Sequence, residues 1–149
     1  MESTQENVVE QLNYLIAIAE DGKKGYETAA KDTEGAHFKT LFMGFSEERV
    51  RYIRQLQVQV NSLNGDAETS GGPIGAMHRL WMDIKSTFSS DYVGMLNTCI
   101  TGENAAIEAY TKVLANTTLT DKVRQLLTEQ MWGIERALVS LKAHIPVEV

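Results

Sequence analysis

Apolar side chains recur every three to four residues through almost the whole chain, and alternating strand-type patterns are absent. From about 4 to 31 the repeating positions are Val8, Leu12, Leu15, Ala19, Gly22, Tyr26 and Ala29. From about 34 to 64 they are Phe38, Phe42, Phe45, Arg49, Ile53, Leu56, Val60 and Leu63. A third long stripe, within about 91 to 115, reads Leu96, Ile100, Glu103, Ile107, Tyr110 and Leu114. The fourth, within about 119 to 144, reads Val123, Leu127, Gln130, Ile134, Leu138 and Leu141, with Ile145 just beyond it. A shorter apolar repeat at about 73 to 89 carries Met77, Leu80, Trp81, Ile84 and Phe88. The spacing predicts five helices and no sheet.

Punctuation supports these limits. "STQE" at the start places Ser3 and Glu6 as a capping box, and "KDTEGAH" interrupts the first two stripes. "NGDAETSGGP" concentrates turn-forming residues. Pro73 suits the first turn of the short helix. Thr118 with Asp121 is the expected cap of the last helix.

Four long helices with short, long and short connections predict two helical hairpins joined by a long crossover. A 17-residue helix in that crossover is about 25 Å long, enough to travel along the bundle. The expected fold is therefore all-α: a single-domain, ferritin-like four-helix bundle whose crossover contains a short fifth helix. An up-and-down five-helix bundle is the alternative that periodicity leaves open.

Three stripes carry a polar residue where a core residue is expected: Arg49, Glu103 and Gln130. Counted from the turn near residue 117, Glu103 and Gln130 fall at nearly the same height. If the second and fourth stripes run parallel, as the crossover requires, Arg49 comes within reach of Glu103. The pattern predicts a polar layer at mid-bundle of Arg49, Glu103 and Gln130, with the Tyr26 and Tyr110 hydroxyls available to it. An unpaired buried carboxylate would cost several kcal/mol, so Glu103 must be paired, protonated or bound to a cation. Pairing with Arg49 is the expectation. The other reading is an iron or manganese site in which Glu20, Asp21, Glu48 or Gln130 joins Glu103. Di-iron carboxylate bundles use Glu-x-x-His on two helices, whereas the one Glu-x-x-His here, Glu34 to His37, opens a helix instead of lying mid-way along it. His78 belongs to the crossover and His144 to the end of the last helix.

Glycines inside the predicted helices, Gly22, Gly25, Gly44, Gly102 and Gly133, each cost about 1 kcal/mol relative to Ala. They suggest close approach of neighbouring helices or rings, or else the walls of a small-molecule cleft.

Composition narrows the function. The chain has 149 residues and a formal charge of −6, and its basic residues are scattered, which argues against nucleic-acid binding. A single Cys99 excludes an intramolecular disulfide and a cysteine zinc site. No apolar run is long enough to span a membrane and the acidic start has no leader-like segment, so a cytoplasmic protein is expected.

"DGKKGYETAA", "HRLWMDIK" and "GENAAIEAY", in this order and separation, resemble the bacterial family called domain of unknown function 2383. The resemblance runs from about residue 8 to 142. The matching motif residues are Asp21, Gly22, Gly25, Tyr26, His78, Arg79, Trp81, Gly102, Glu103 and Tyr110. The resemblance implies a ferritin-like bundle and a small cytoplasmic bacterial protein, with a stress-related role the one supposed for it. It implies no activity and transfers no catalytic role. The family pattern often carries a His about eight residues after a Gln in the last helix, a place held here by Leu138. A structural or interaction protein, non-catalytic and without cofactor, associating with itself or a protein partner, is the expectation; a degenerate metal-binding bundle is the alternative.

Overall fold

The computed structural model describes residues 4–67 and 92–146. They form four α-helices: α1 Thr4–Asp32, α2 Ala36–Ser62, α3 Tyr92–Leu114 and α4 Asp121–Ala143. The short helix expected at 73–89 lies outside the described residues, as do Ser3 of the expected capping box and His78, Arg79 and Trp81.

α1 packs chiefly on α2 and α3 chiefly on α4, and the two hairpins meet through α1 against α3 and, more lightly, α2 against α4. This places α2 and α3 on a diagonal of the bundle. Direction follows from contacts at the two ends. At one end Gln5 of α1 donates to the Leu63 carbonyl at 2.7 Å, and Asn116 donates to Gln11 at 2.7 Å. At the other end the Phe38 ring stacks on Tyr92 at 5.1 Å. The finish of α2 and the finish of α3 therefore share one end, and the two helices run parallel.

Local chemistry sets the boundaries. α2 ends where Asn64 takes a left-handed conformation, φ 59, which Asn tolerates better than most residues. Gly65 N–H then reaches back to Val60 O and Asn64 N–H to Asn61 O, both at 3.0 Å, closing a Schellman-type end. α4 starts two residues later than expected. Its cap is Thr120, whose hydroxyl accepts from Val123 N–H at 3.2 Å. Thr118 instead turns back to Asn116 Oδ1. Arg124 closes the α3–α4 turn by donating to the Leu114 and Asn116 carbonyls at 2.8 and 2.6 Å, a cation against a helix C-terminus.

All seven positions of the first stripe are buried. On α3 the buried face is turned from the expected stripe. Leu96, Glu103 and Tyr110 are inside, while Ile100, Ile107 and Leu114 only flank the core. Met95, Cys99, Gly102, Ala106, Ala109 and Val113 are buried as well. Small residues here let α3 sit close to its neighbours.

Among the described residues the core is two clusters. The larger is mostly aliphatic and includes Leu12, Leu15, Ile16, Ile53, Leu56, Val113, Leu127 and Ile134. The smaller, toward the start of α2 and the end of α4, gathers Tyr26, Phe42, Met95, Leu96, Cys99 and Leu141. Between them lies a polar seam.

Candidate functional site: a buried polar seam

The seam is formed where α1, α2 and α3 bring Asp21, Ser46, Arg49 and Glu103 inside the bundle. Arg49 and Glu103 are 4% and 2% exposed, and the Arg49 guanidinium forms an ion pair and hydrogen bond with Glu103 Oε1. Because α2 and α3 are diagonal, this pair crosses the centre of the bundle. The guanidinium also lies 5.8 Å from the ring centroids of both Tyr26 and Tyr52, where the ring faces favour a cation. Gly22 makes room for it: a Cβ there would stand 3.0 Å from Arg49 Nε.

Burial pushes the Glu103 carboxyl above the ordinary glutamate value, with Arg49 and the Tyr26 hydroxyl pulling it back toward the charged form. Burial opposes the charge on Arg49 too, but the attraction of Glu103 and the surrounding tyrosines more than compensates and the guanidinium stays protonated. Tyr26 and Cys99 are both raised, by burial first and by Glu103 second, so hydroxyl and thiol keep their protons. Glu103 Oε2 and the Tyr26 hydroxyl are buried without a hydrogen bond of good geometry.

Gln130 stands on α4, but its bonds go away from Glu103. It accepts from the Tyr110 hydroxyl at 2.7 Å and donates to Gln55 Oε1 at 3.0 Å and to the Tyr52 carbonyl at 3.3 Å. The expected single layer is thus two neighbouring networks, one charged and one neutral. Tyr110 accounts for the difference, since its length lets a residue seven positions beyond Glu103 reach Gln130.

Glu48 and Tyr52, one turn apart on α2, add a third pair in which the Tyr52 hydroxyl donates to the Glu48 carboxylate. Gly133 of α4 faces it. A Cβ at Gly133 would overlap the Tyr52 hydroxyl and lie 2.7 Å from Glu48 Oε1. Tyr52 and Gln55 escaped the sequence reading because neither falls on the α2 stripe. The glycine at 133 was the available signal. Gly44, by contrast, has no atom within 4 Å of where its Cβ would be and marks no close approach.

Of the family-motif residues, Asp21, Gly22, Tyr26, Gly102, Glu103 and Tyr110 are buried around the seam, and Gly25 is half-buried one helical turn from it. The metal candidates do not assemble into a donor set. Glu103 is paired with Arg49, Glu48 is bonded to Tyr52, and Glu20 is half-buried on α1. No group of three or more His, Cys, Asp or Glu able to hold a metal occurs among the described residues. A guanidinium inside the seam also repels a cation. No helix among the described residues is long and apolar enough to cross a membrane.

Solved structures of ferritin-like proteins are similar to this chain throughout. A dodecameric thioferritin, the bacterioferritin-related protein from Bacteroides fragilis, superposes with a TM-score of 0.77 at 18% identity, covering 95% of this chain and 86% of that one. A mutant of Dps1 from Mycobacterium smegmatis superposes with a TM-score of 0.75 at 16% identity, covering 98% of this chain and 100% of that one. These likenesses establish the four-helix, ferritin-like fold. Among curated proteins, none matches the chain in sequence. The pattern of the domain of unknown function DUF2383 matches residues 7–116, through α1, α2 and α3 and ending before α4, and the chain belongs to that family.

Proposed function

We propose that this protein is a non-catalytic, self-associating ferritin-like bundle in which Arg49 takes the place of a metal as the cation that neutralises Glu103. The pair itself supports the reading: a guanidinium fixed on a buried carboxylate satisfies the charge with no further ligand. Self-association is supported by the outer face of α4, where Trp132 and Val139 are 53% and 67% exposed, two turns apart on one face. The similar thioferritin is described as a dodecamer.

A metal-binding bundle is the second reading, and one observation favours it: Glu103 Oε2 is buried and makes no hydrogen bond of good geometry with the described residues. Elemental analysis of protein purified without chelator and loaded anaerobically with ferrous iron separates the two. The proposal expects no stoichiometric iron. One or two irons per chain, lost in Glu103→Gln, would replace it with the second reading. Sedimentation tests the other half: an assembly is expected, weakened by Trp132→Asp, and a strict monomer at all concentrations would count against self-association.

A further inference from the structure

The outer face of α4 repeats with alternating spacings of four and three. Gln125, Glu129, Trp132, Arg136, Val139 and Ala143 are exposed along it, while the buried face lies behind at Leu127, Ile134 and Leu141. This is the spacing of a seam between two packed helices. Its middle is apolar at Trp132 and Val139, 53% and 67% exposed, and with Glu135 and Arg136 they line a shallow depression. Tryptophan and arginine are among the residue types that most often carry interface energy.

The charges on this seam answer one another across a two-fold axis. Glu129 stands three residues before Trp132, and Arg136 four after it. Being seven residues apart, they project within about 20° of each other on a straight helix, on the same flank of Trp132. When two copies pack antiparallel about an axis at Trp132, each flank keeps its own side and the order along it reverses. Glu129 then comes within about one residue's rise, roughly 1.5 Å, of the height of the partner's Arg136, and the pairing occurs twice. A parallel packing would instead set each charge level with its own copy. Within the chain neither charge is committed to an opposite one. Glu129 accepts from Gln125 at 3.2 Å, and Arg136 joins no ion pair among the described residues.

We infer that the occupant of this face is a second copy of the chain, docked antiparallel through α4 about a two-fold axis at Trp132. The two Trp132 indoles pack on each other, and each Glu129 pairs with the partner's Arg136. The inference rests on the self-association proposed above and supplies its contact surface. One helix face is small beside the roughly 800 Å² per partner of a standard interface, so this contact should dissociate in the micromolar range.

Sedimentation velocity of the full-length chain, over concentrations spanning that range, tests it. Glu129→Arg and Arg136→Glu should each weaken the dimer about tenfold or more, because each turns two attractive pairs into two repulsive ones. Combining them restores opposite charges and should return the affinity to within about threefold of wild type. Glu129→Arg also lowers the net negative charge of the chain, which by itself would favour association, so a loss reports the local pair. Glu135→Lys, on the other flank and level with no partner charge, should leave the dimer unchanged. Added salt should loosen wild type and tighten the two single variants. Circular dichroism checks that every variant stays helical. A wild type that is monomeric throughout would overturn this interface together with the proposed self-association. An assembly indifferent to Glu129→Arg and Arg136→Glu would overturn the interface alone, as would single-variant losses that the combined variant fails to restore.

Discussion

The two halves of the core are built differently. The larger cluster is mostly aliphatic, with Tyr52 and Tyr110 at its border, draws on all four helices and is closed at its end by the Schellman-type finish of α2 and the Arg124-braced turn. The smaller is aromatic and sulfur-rich, with Tyr26 stacked on Phe42 at 6.3 Å and tilted on Phe45 at 5.3 Å. Between them the Arg49–Glu103 pair spans the diagonal. The difference shows what such a pair can do in a long bundle. Apolar packing alone is indifferent to a slip of one turn, whereas a single guanidinium and a single carboxylate match in one register. That role is a hypothesis for this chain, and the seam is where it can be broken.

The largest effect should come from cutting the pair. Glu103→Ala leaves Arg49 buried and unpaired and should destabilise by about 3–5 kcal/mol in denaturant unfolding. Replacing Arg49 by Met and Glu103 by Leu together should recover much of that loss, since well-packed apolar residues often do as well as a buried ion pair. If the seam sets register, the double variant should recover stability yet show broadened amide resonances in the aromatic half. A double variant as damaged as the single one would sink the pairing account.

A smaller effect is expected at Gly133. An added Cβ overlaps the Tyr52 hydroxyl, and overpacking of this kind costs about 1–3 kcal/mol. Tyr52→Phe removes the hydroxyl, so the cost of Gly133→Ala should shrink in that background. Additive losses in a double-mutant cycle would show that the crowding lies elsewhere.

These residues also show how far the sequence could be read. Every position of the α1 stripe is buried, but Ile16, Ala17, Ile18, Asp21 and Ala30 are buried beside it, so the stripe found the centre of the face and not its width. On α3, Cys99, Gly102, Ala106 and Ala109 are buried but too small to define a stripe, so the eye follows Ile100 and Ile107, which only flank the core. Arg49 and Glu103 were legible as a pair because parallel helices set their heights by counting. Gln130 was not, since side-chain reach, here that of Tyr110, is invisible to counting. The hydrogen bond between His37 and His144 was harder still. It follows from which helix ends meet, and each residue by itself looks like an ordinary terminus.

The titration of Glu103 should be a weaker handle on the same seam, and its sign is informative. Burial holds the folded-state carboxyl above its ordinary value despite Arg49. A raised folded value means that the folded protein binds this proton more readily than the unfolded chain. The contribution of Glu103 is then fully present below the unfolded carboxyl range and is lost as pH rises through the folded value. Denaturant midpoints measured across acid to neutral pH should show wild type losing ground to Glu103→Gln as pH increases. The opposite trend would mean that attraction to Arg49 outweighs burial and that the pair is ionised throughout.

Gly44 supplies the mildest test and the control for Gly133. Both are helical glycines, and both cost helix stability through backbone entropy. One faces a tyrosine hydroxyl, whereas the other is exposed with nothing within 4 Å of its missing Cβ. Gly44→Ala should therefore stabilise by about 1 kcal/mol, or about 2–4 °C in melting temperature for a chain of this size. Gain at 44 together with loss at 133 would show that the glycines differ by what they face and not by helix propensity. A loss at 44 would instead point to an unrecognised neighbour on the outer face of α2, and the assembly would be the place to look for it.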